Sequence, residues 1–310
     1  MEFNIAIIIL NYVNYTITEK NVDNLIELGV KYPIIIVDNN SQNNSFENIY
    51  KKYQNFNYIY VIKNHENKGY ASGNNFGVKF VMEKLNFIKY ICIMNPDVTI
   101  LYKEIFSNLK SKIEDREDIA LIGAMMILNN ELNSRNFCWK LPNKKCIVSG
   151  YFNFLSRFRS SNKKDKIIID SNDSSIAKVQ VVPGSFFIIK KAILQEIGLF
   201  DENTFLYNEE NILSIKLRNK SYSECLSIND YYIHNHKKTV GKKNLKDKLK
   251  SNNVNFQSRK YLCKTYYDKR LVILLYIIFL FNIVEISLFH FISKIGKVRK
   301  FTLYKEKLNL

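Results

Sequence analysis

The sequence predicts an α/β fold: a mainly parallel, Rossmann-like central sheet flanked by helices, followed by a helical C-terminal extension. Three observations predict it. Short apolar runs stop abruptly at polar residues, at Asn11, at Asp38 and at Asn95-Pro96-Asp97, and runs this short and this apolar are strands buried on both faces. The first two are separated by a stretch of helical spacing that stops at Gly29, which makes a strand-helix-strand unit. Beyond residue 236, lysines crowd in front of a long apolar run. With 310 residues, 46% of them hydrophobic, the chain holds one large α/β domain and an appendage.

Residues 5–10 are the first strand, and the helix after it starts at Thr16 or Thr18 and buries Val22, Leu25 and Ile26. Residues 34–37 are the second strand, which delivers Asp38, Asn39, Asn40 and Ser41 to the carboxyl edge of the sheet. Open α/β sheets bind ligands at that edge. Asp38 there either hydrogen-bonds a base or ribose, or makes an ordinary Asx turn. After a third strand at 58–63, Gly69, Gly73 and Gly77 recur at every fourth position, along one face of a helix. Each interior glycine costs about 1 kcal/mol relative to alanine, so this face requires close approach, either to a ligand or to the sheet. The spacing matches neither the dinucleotide fingerprint nor the P-loop.

Residues 90–94 form the central strand, which must end at Pro96 because proline cannot donate to a ladder. Asp97 therefore stands at the same edge. It either holds a hard divalent cation together with phosphate oxygens or caps a helix beginning near Tyr102. A helix at 101–113 and a strand at 119–126 follow. Residues 129–178 read as a variable insertion near the substrate, carrying the single tryptophan, Trp139, and a basic run at Lys163, Lys164 and Lys166.

Regularity returns with strands at 179–182 and 186–189 around Pro183-Gly184-Ser185, then a helix at 191–197 stopped by Gly198. Glu209 and Glu210 begin a further helix. They either complement its dipole or supply a general base, for which Glu210 is the candidate. His234 and His236 share one face of a strand, too few for a structural zinc site. His234 ends an apolar run as Asp97 does and is the candidate ligand, with His236 a solvated neighbour.

Lysine and arginine number 46 against 29 acidic residues, a net charge of +17, which attracts nucleic acid, acidic lipid or a phosphorylated substrate. Nucleic acid is set aside because no binding motif is present and the charge sits beside an apolar helix instead of being interleaved with the twenty tyrosines. The five cysteines are scattered and never at C-x-x-C spacing, which argues against a disulfide framework and fits a reducing compartment. The N-terminus has no basic region and too short an apolar core for a signal peptide, so a cytoplasmic location is expected.

Taken together, Ile8 to Tyr12, Val37 to Ser41, Asn67 to Ala71 with Asn75 and Gly77, and Asn95-Pro96-Asp97 resemble the nucleotide-sugar half of family 2 glycosyltransferases. The resemblance continues through Pro183 to Phe187, Gly198 to Glu202, Tyr207 to Glu210 and His234, about residues 5 to 236, and is nearest the rhamnosyltransferase branch of O-antigen and capsule enzymes. It implies a glycosyltransferase A fold and inverting transfer of a sugar, rhamnose or another hexose, from a nucleoside diphosphate sugar to a saccharide acceptor. It further implies that Asn11, Asp38, Asn40, Asn67, Gly69, Asn75 and Asn95 face the donor. By the same resemblance Asp97 with His234 would hold Mg2+ or Mn2+, Glu210 would be the base with Glu209 beside it, and Gly184 and Ser185 would lie toward the acceptor, to which Trp139 is added from the insertion near the substrate. Asn95 stands where the family's metal motif carries a second aspartate, and Glu209-Glu210 where many members carry Glu-Asp. A glycosyltransferase-like membrane scaffold without catalysis is the alternative, and intact Asp38, Asp97, Glu210 and His234 count against it. The division expected is 1–98 for the nucleotide-sugar half, 99–236 for the acceptor and catalytic half, and 237–310 for the extension.

In that extension, basic residues from Lys237 to Arg270 precede eleven unbroken apolar residues, 271–281, and the run continues through Asn282, Glu285 and His290 to Ile292. The unbroken part spans about 16 Å as a helix, short of the hydrocarbon core. The expectation is an interfacial helix on the anionic inner face of the cell membrane, which suits a lipid-linked acceptor. The alternative is a buried helix packed on the catalytic domain or on a second subunit of a homo-oligomer.

Overall fold

The computed structural model describes residues 4–128, 131–132, 137–151, 168–169, 174–235 and 244–308. The chain divides into two compact units, Met1–Leu141 with Lys163–Thr239, and Pro142–Asn162 with Val240–Leu310. In chain order the elements are β1 (Ile5–Asn11), α1 (Tyr15–Glu27), β2 (Ile34–Asp38), α2 (Ser45–Tyr53), β3 (Ile59–Lys63) and α3 (Tyr70–Lys84). Next come β4 (Tyr90–Met94), β5 (Val98–Ile100), α4 (Ile105–Glu114), β6 (Ile119–Leu128), β7 (Glu131–Leu132) and α5 (Lys144–Ser149). Then follow β8 (Ile168–Ile169), β9 (Ile176–Val179), β10 (Phe186–Lys190), α6 (Lys191–Glu196), α7 (Glu209–Arg218), β11 (Ser223–His234), α8 (Leu245–Tyr266) and α9 (Leu271–Leu308).

All the strands belong to one sheet ordered β3-β2-β1-β4-β10-β6-β11-β9-β8, with β5 on β11 and β7 on β6. The first four in that order are parallel, whereas β10 runs antiparallel between β4 and β6. Alternation along β1 divides the core in two. Ile5, Ile7 and Ile9 pack with Val22, Leu25, Ile49 and Leu109 of α1, α2 and α4. Ala6 and Ile8 face Val78, Val81, Leu194 and Leu213 of α3, α6 and α7.

Outside the 129–178 insertion, helix α2 and strand β5 go beyond the sequence expectation. Helix α2 reads as polar because only Ile49 and Tyr53 anchor its apolar side. Strand β5 takes up Val98–Ile100 by pairing with the end of β11, so the next helix starts at Ile105 and not near Tyr102. Asp97 is therefore not its cap. The glycine face also resolves: α3 begins at Tyr70, with Gly69 outside it at φ 103°. A Cβ on Gly73 would meet the Leu10 and Asn39 side chains, and one on Gly77 would meet Ile8 and Val37. Close packing of α3 on the sheet explains both glycines.

In the second unit, an Asn244–Asp247 capping box starts α8. Phe256 of α8 stacks on Phe279 of α9 with ring centroids 4.4 Å apart, and Leu275, Ile278 and Asn282 form a buried stripe at helical spacing. The rest of that helix is different. Ile273, Ile277, Leu280, Phe281, Val284, Leu288 and Phe291 are exposed. The helix does not break at Asn282, so its apolar segment is the 22 residues Leu271–Ile292 at mean hydropathy 2.6, with 17% buried. That length corresponds to about 33 Å of helix, enough by length and composition to cross a membrane. The buried stripe packs within the second unit itself, where the Asn282 amide donates to the Tyr151 carbonyl at 2.8 Å.

Candidate active site

Three strand ends converge at one edge of the sheet, the carboxyl ends of β1, β2 and β4. Parallel register sets Asn11 opposite Asp38, and the Asn11 side-chain amide donates to Asp38 Oδ2 at 2.8 Å. The other carboxylate oxygen accepts the Ser41 N–H at 2.9 Å, an Asx-type turn. Both Asn11 and Asp38 are fully buried. Asp38 thus shapes the 38–41 turn from within, and the residue the turn presents outward is the half-buried Asn40, at φ 58°.

Asn39, placed at this edge by the sequence but given no role there, links this turn to the next loop. Its amide donates to Asn67 Oδ1 at 3.0 Å and to the Gly69 carbonyl at 3.3 Å, and Asn67 Oδ1 also accepts the Gly69 N–H. The Tyr70 N–H reaches across to the Phe205 carbonyl at 3.1 Å. Asn75 is spent on a clamp. Its amide donates to the Phe200 carbonyl and to Glu202, while its oxygen accepts the Phe200 N–H.

Asp97 is held in place from three sides. The Asn21 amide of α1 donates to the carbonyls of Asn95 and Val98, at 3.3 and 2.5 Å. The Asn235 N–H donates to the Asp97 carbonyl at 2.9 Å. His234, opposite Val98 in the β11–β5 register, brings Nε2 to 3.1 Å from Asp97 Oδ1. Upstream in the same strand the β11–β6 register shifts between Ser227 and Tyr231, with Asp230 buried there against Lys112. Among the described residues no group of three or more His, Cys, Asp and Glu converges to hold a metal. His236 lies outside the described residues, as do Lys163, Lys164 and Lys166.

Glu209 and Glu210 occupy the first turn of α7, entered through Tyr207 and Asn208, both left-handed at φ 78° and 67°. Glu209 is buried with Oε1 lacking a hydrogen-bond partner. Burial, then the neighbouring Glu210 charge, pushes its carboxyl up to about 8. Glu210 is partly exposed. Its pKa is raised by burial, against the Gly184 N–H, which favours the carboxylate.

Gly184 and Ser185 join the two carboxylate sites. The Gly184 N–H points to Glu210 Oε1 at 3.3 Å, and the next carbonyl, of Ser185, accepts the Asn95 N–H at 2.8 Å. The Tyr70 hydroxyl donates to the Gly184 carbonyl at 2.6 Å, and the hydroxyls of Ser185 and Tyr232 share a hydrogen bond of 2.7 Å. Trp139 pairs with Val181 in an isolated bridge, and its indole N–H donates to Asn211 Oδ1 at 2.9 Å, one residue beyond Glu210. Tyr70 and Tyr232 were missed as site residues. Aromatic residues among so many tyrosines carry no local signal.

The sequence matches the profile of glycosyl transferase family 2 over residues 6–198. The chain belongs to that family. The transferase is 25% identical over 236 residues to the low-salt glycan biosynthesis hexosyltransferase Agl10 of Haloferax volcanii, covering 75% of this chain and 67% of that one. Its fold is similar to a structure of GalNAc-T7 with UDP, GalNAc and Mn2+, at TM-score 0.54 and 14% identity, over 74% of this chain but only 43% of the other. It is also similar to the mannosyltransferase PcManGT of Pyrobaculum calidifontis, in complex with GDP-Man and Mn2+, at TM-score 0.54 and 12% identity, over 88% of this chain and 68% of that one. The glycosyltransferase A fold of this transferase is thus shown by architecture as well as by sequence.

Proposed function

We propose that this transferase moves a hexose, rhamnose among the candidates, from a nucleoside diphosphate sugar to a saccharide hydroxyl with inversion. The observation that carries the reading is the pair Gly184 and Ser185, whose backbone ties Glu210 to the Asn95-Pro96-Asp97 turn. The proposed base and the turn carrying the proposed phosphate-side carboxylate are both hydrogen-bonded to this one segment.

Asp97 and His234 fit a divalent cation. Their facing atoms are 3.1 Å apart, so both would be able to ligate one ion. The Asp97 carboxylate would suit Mg2+ or Mn2+, and the His234 imidazole would favour the softer Mn2+ of the two. A cation held by Asp97 and His234 would supply positive charge opposite the diphosphate leaving group. UDP and GDP-Man with Mn2+ in the structures of similar fold support this reading.

Glu210 is the better base of the two glutamates because it is partly exposed while Glu209 is buried. Its raised pKa brings it toward the range in which a carboxylate removes a proton efficiently. It takes the hydroxyl proton as the acceptor oxygen attacks the anomeric carbon. The bond to the diphosphate breaks on the opposite face, and one displacement inverts the centre. Asn40, Asn67 and Gly69 line the donor side, with Asn11, Asp38 and Asn75 holding their loops in shape. Trp139 and Ser185 border the acceptor side.

The exposed apolar residues of Leu271–Ile292 support association with a membrane, and the lysines flanking that run favour its anionic inner face, where a lipid-linked acceptor would lie. Vesicle flotation followed by alkaline extraction separates a helix lying on the bilayer, which is released, from one that spans it.

The decisive assay follows nucleoside diphosphate release from UDP-glucose, UDP-galactose, GDP-mannose and dTDP-rhamnose, with Mg2+ or Mn2+ and with or without lipid extract. Release from one donor, abolished by chelator and by Glu210→Gln, is expected. Folded protein that neither binds nor turns over any donor points instead to a non-catalytic scaffold.

A further inference from the structure

Behind the Gly184–Glu210 contact lies a third carboxyl group that the proposed reaction does not use. Glu224, near the start of β11, is 3% exposed. Its Oε2 accepts the Val182 N–H at 2.8 Å, and its Oε1 is buried without a hydrogen-bond partner. Val182 opens the segment that carries Gly184 and Ser185. Pro183 has no N–H, so the Val182 amide is the last backbone donor before that of Gly184. Val182 is also tightly seated, its Cγ1 lying only 2.5 Å from where a Cβ on Gly123 would fall.

We propose that Glu224 is a positioning residue for Glu210: by holding the Val182 N–H it sets how closely the Gly184 N–H approaches the Glu210 carboxylate. This rests on the reading of Glu210 as the base. The titratable groups facing Glu210 are Glu209 on α7, Tyr70 on α3 and Glu224 itself on β11, with Arg218 beside Glu224. Burial pushes Glu224 up to about 8, although Ser214, the Val182 N–H and Arg218 favour its charged form. An uncharged acid still accepts from Val182 while adding no repulsion to Glu210. Reach, and not charge, is then what Glu224 supplies.

The test compares Glu224→Gln, which keeps the reach, with Glu224→Asp, which withdraws the acceptor by one methylene. Full-length protein carrying carbon-13 glutamate carboxyls is titrated by NMR, and the Glu210 signal is identified by its absence in Glu210→Gln. Glu224→Asp is expected to raise the Glu210 midpoint by about half a pH unit or more, because the N–H that favours the carboxylate retreats. It also lowers kcat for nucleoside diphosphate release about fivefold, with donor KM within about twofold. Glu224→Gln leaves both near wild type. An unmoved midpoint in Glu224→Asp, or equal shifts in both variants, overturns the proposal. Failure of the underlying reading looks different: Glu210→Gln retains turnover.

Discussion

The Gly184 N–H lies 3.3 Å from Glu210 Oε1, and a methyl group placed on the Gly184 Cα would fall 2.8 Å from the same oxygen. Only glycine lets the backbone come this close. Because the obstructing atom is the end of a flexible side chain and not backbone, Gly184→Ala displaces Glu210 more than it strains the fold. The expected outcome is a loss of about tenfold or more in kcat, with unfolding free energy changed by no more than about 0.5 kcal/mol. Steady-state kinetics beside urea unfolding checks both halves.

Gly69 is the opposite case. It sits at φ 103°, and a Cβ there would lie 2.0 Å from the Phe205 carbonyl oxygen, a backbone atom that cannot turn aside. Gly69→Ala is expected to cost about 2 kcal/mol or more and to weaken UDP or GDP binding, measured by chemical denaturation and calorimetry.

Removal of the cation-side groups should separate by severity. Asp97→Ala abolishes Mn2+-dependent nucleoside diphosphate release. His234→Ala raises the Mn2+ half-saturation by about tenfold, the scale on which even supporting groups matter at metal sites. A Mn2+ titration indistinguishable from wild type in Asp97→Ala removes the cation from this site.

Stability should fall as pH rises through the neutral range. Burial holds Glu224 at about 8, above its ordinary 4.5, so the folded protein binds that proton more tightly than the unfolded chain does. The stabilisation is complete below 4.5 and lost as pH rises toward 8. Glu209 behaves in the same direction. Glu224→Gln, which cannot ionise, is expected to flatten the decline of the urea midpoint across that interval. An unchanged slope means that Glu224 is charged in the folded state.

Much of this was legible in the sequence because strand ends are written locally. A run such as Tyr90 to Met94 stopped by Pro96 announces a buried strand and the residue it delivers, and the same logic located Asp38 and His234. The family resemblance supplied the order in which such ends belong together. Strand β5 was hidden because three residues pair only once the distant end of β11 arrives. Helix α2 was hidden because two anchors make too weak a periodic signal.

The sequence by itself determined the α/β class, the parallel half of the sheet and the residue types gathered at its carboxyl edge, since apolar period and proline act over a few positions. Tertiary structure alone decided what those side chains do with their hydrogen-bonding groups. It turned Asp38 inward onto Asn11 and Ser41, and spent Asn75 on Phe200 and Glu202. It assigned Gly73 and Gly77 to packing and left Glu210 partly exposed while Glu209 was buried. Apart from the local Asp38–Ser41 turn, such contacts join residues tens to more than a hundred positions apart, and a buried polar group takes whichever partner the fold brings to it.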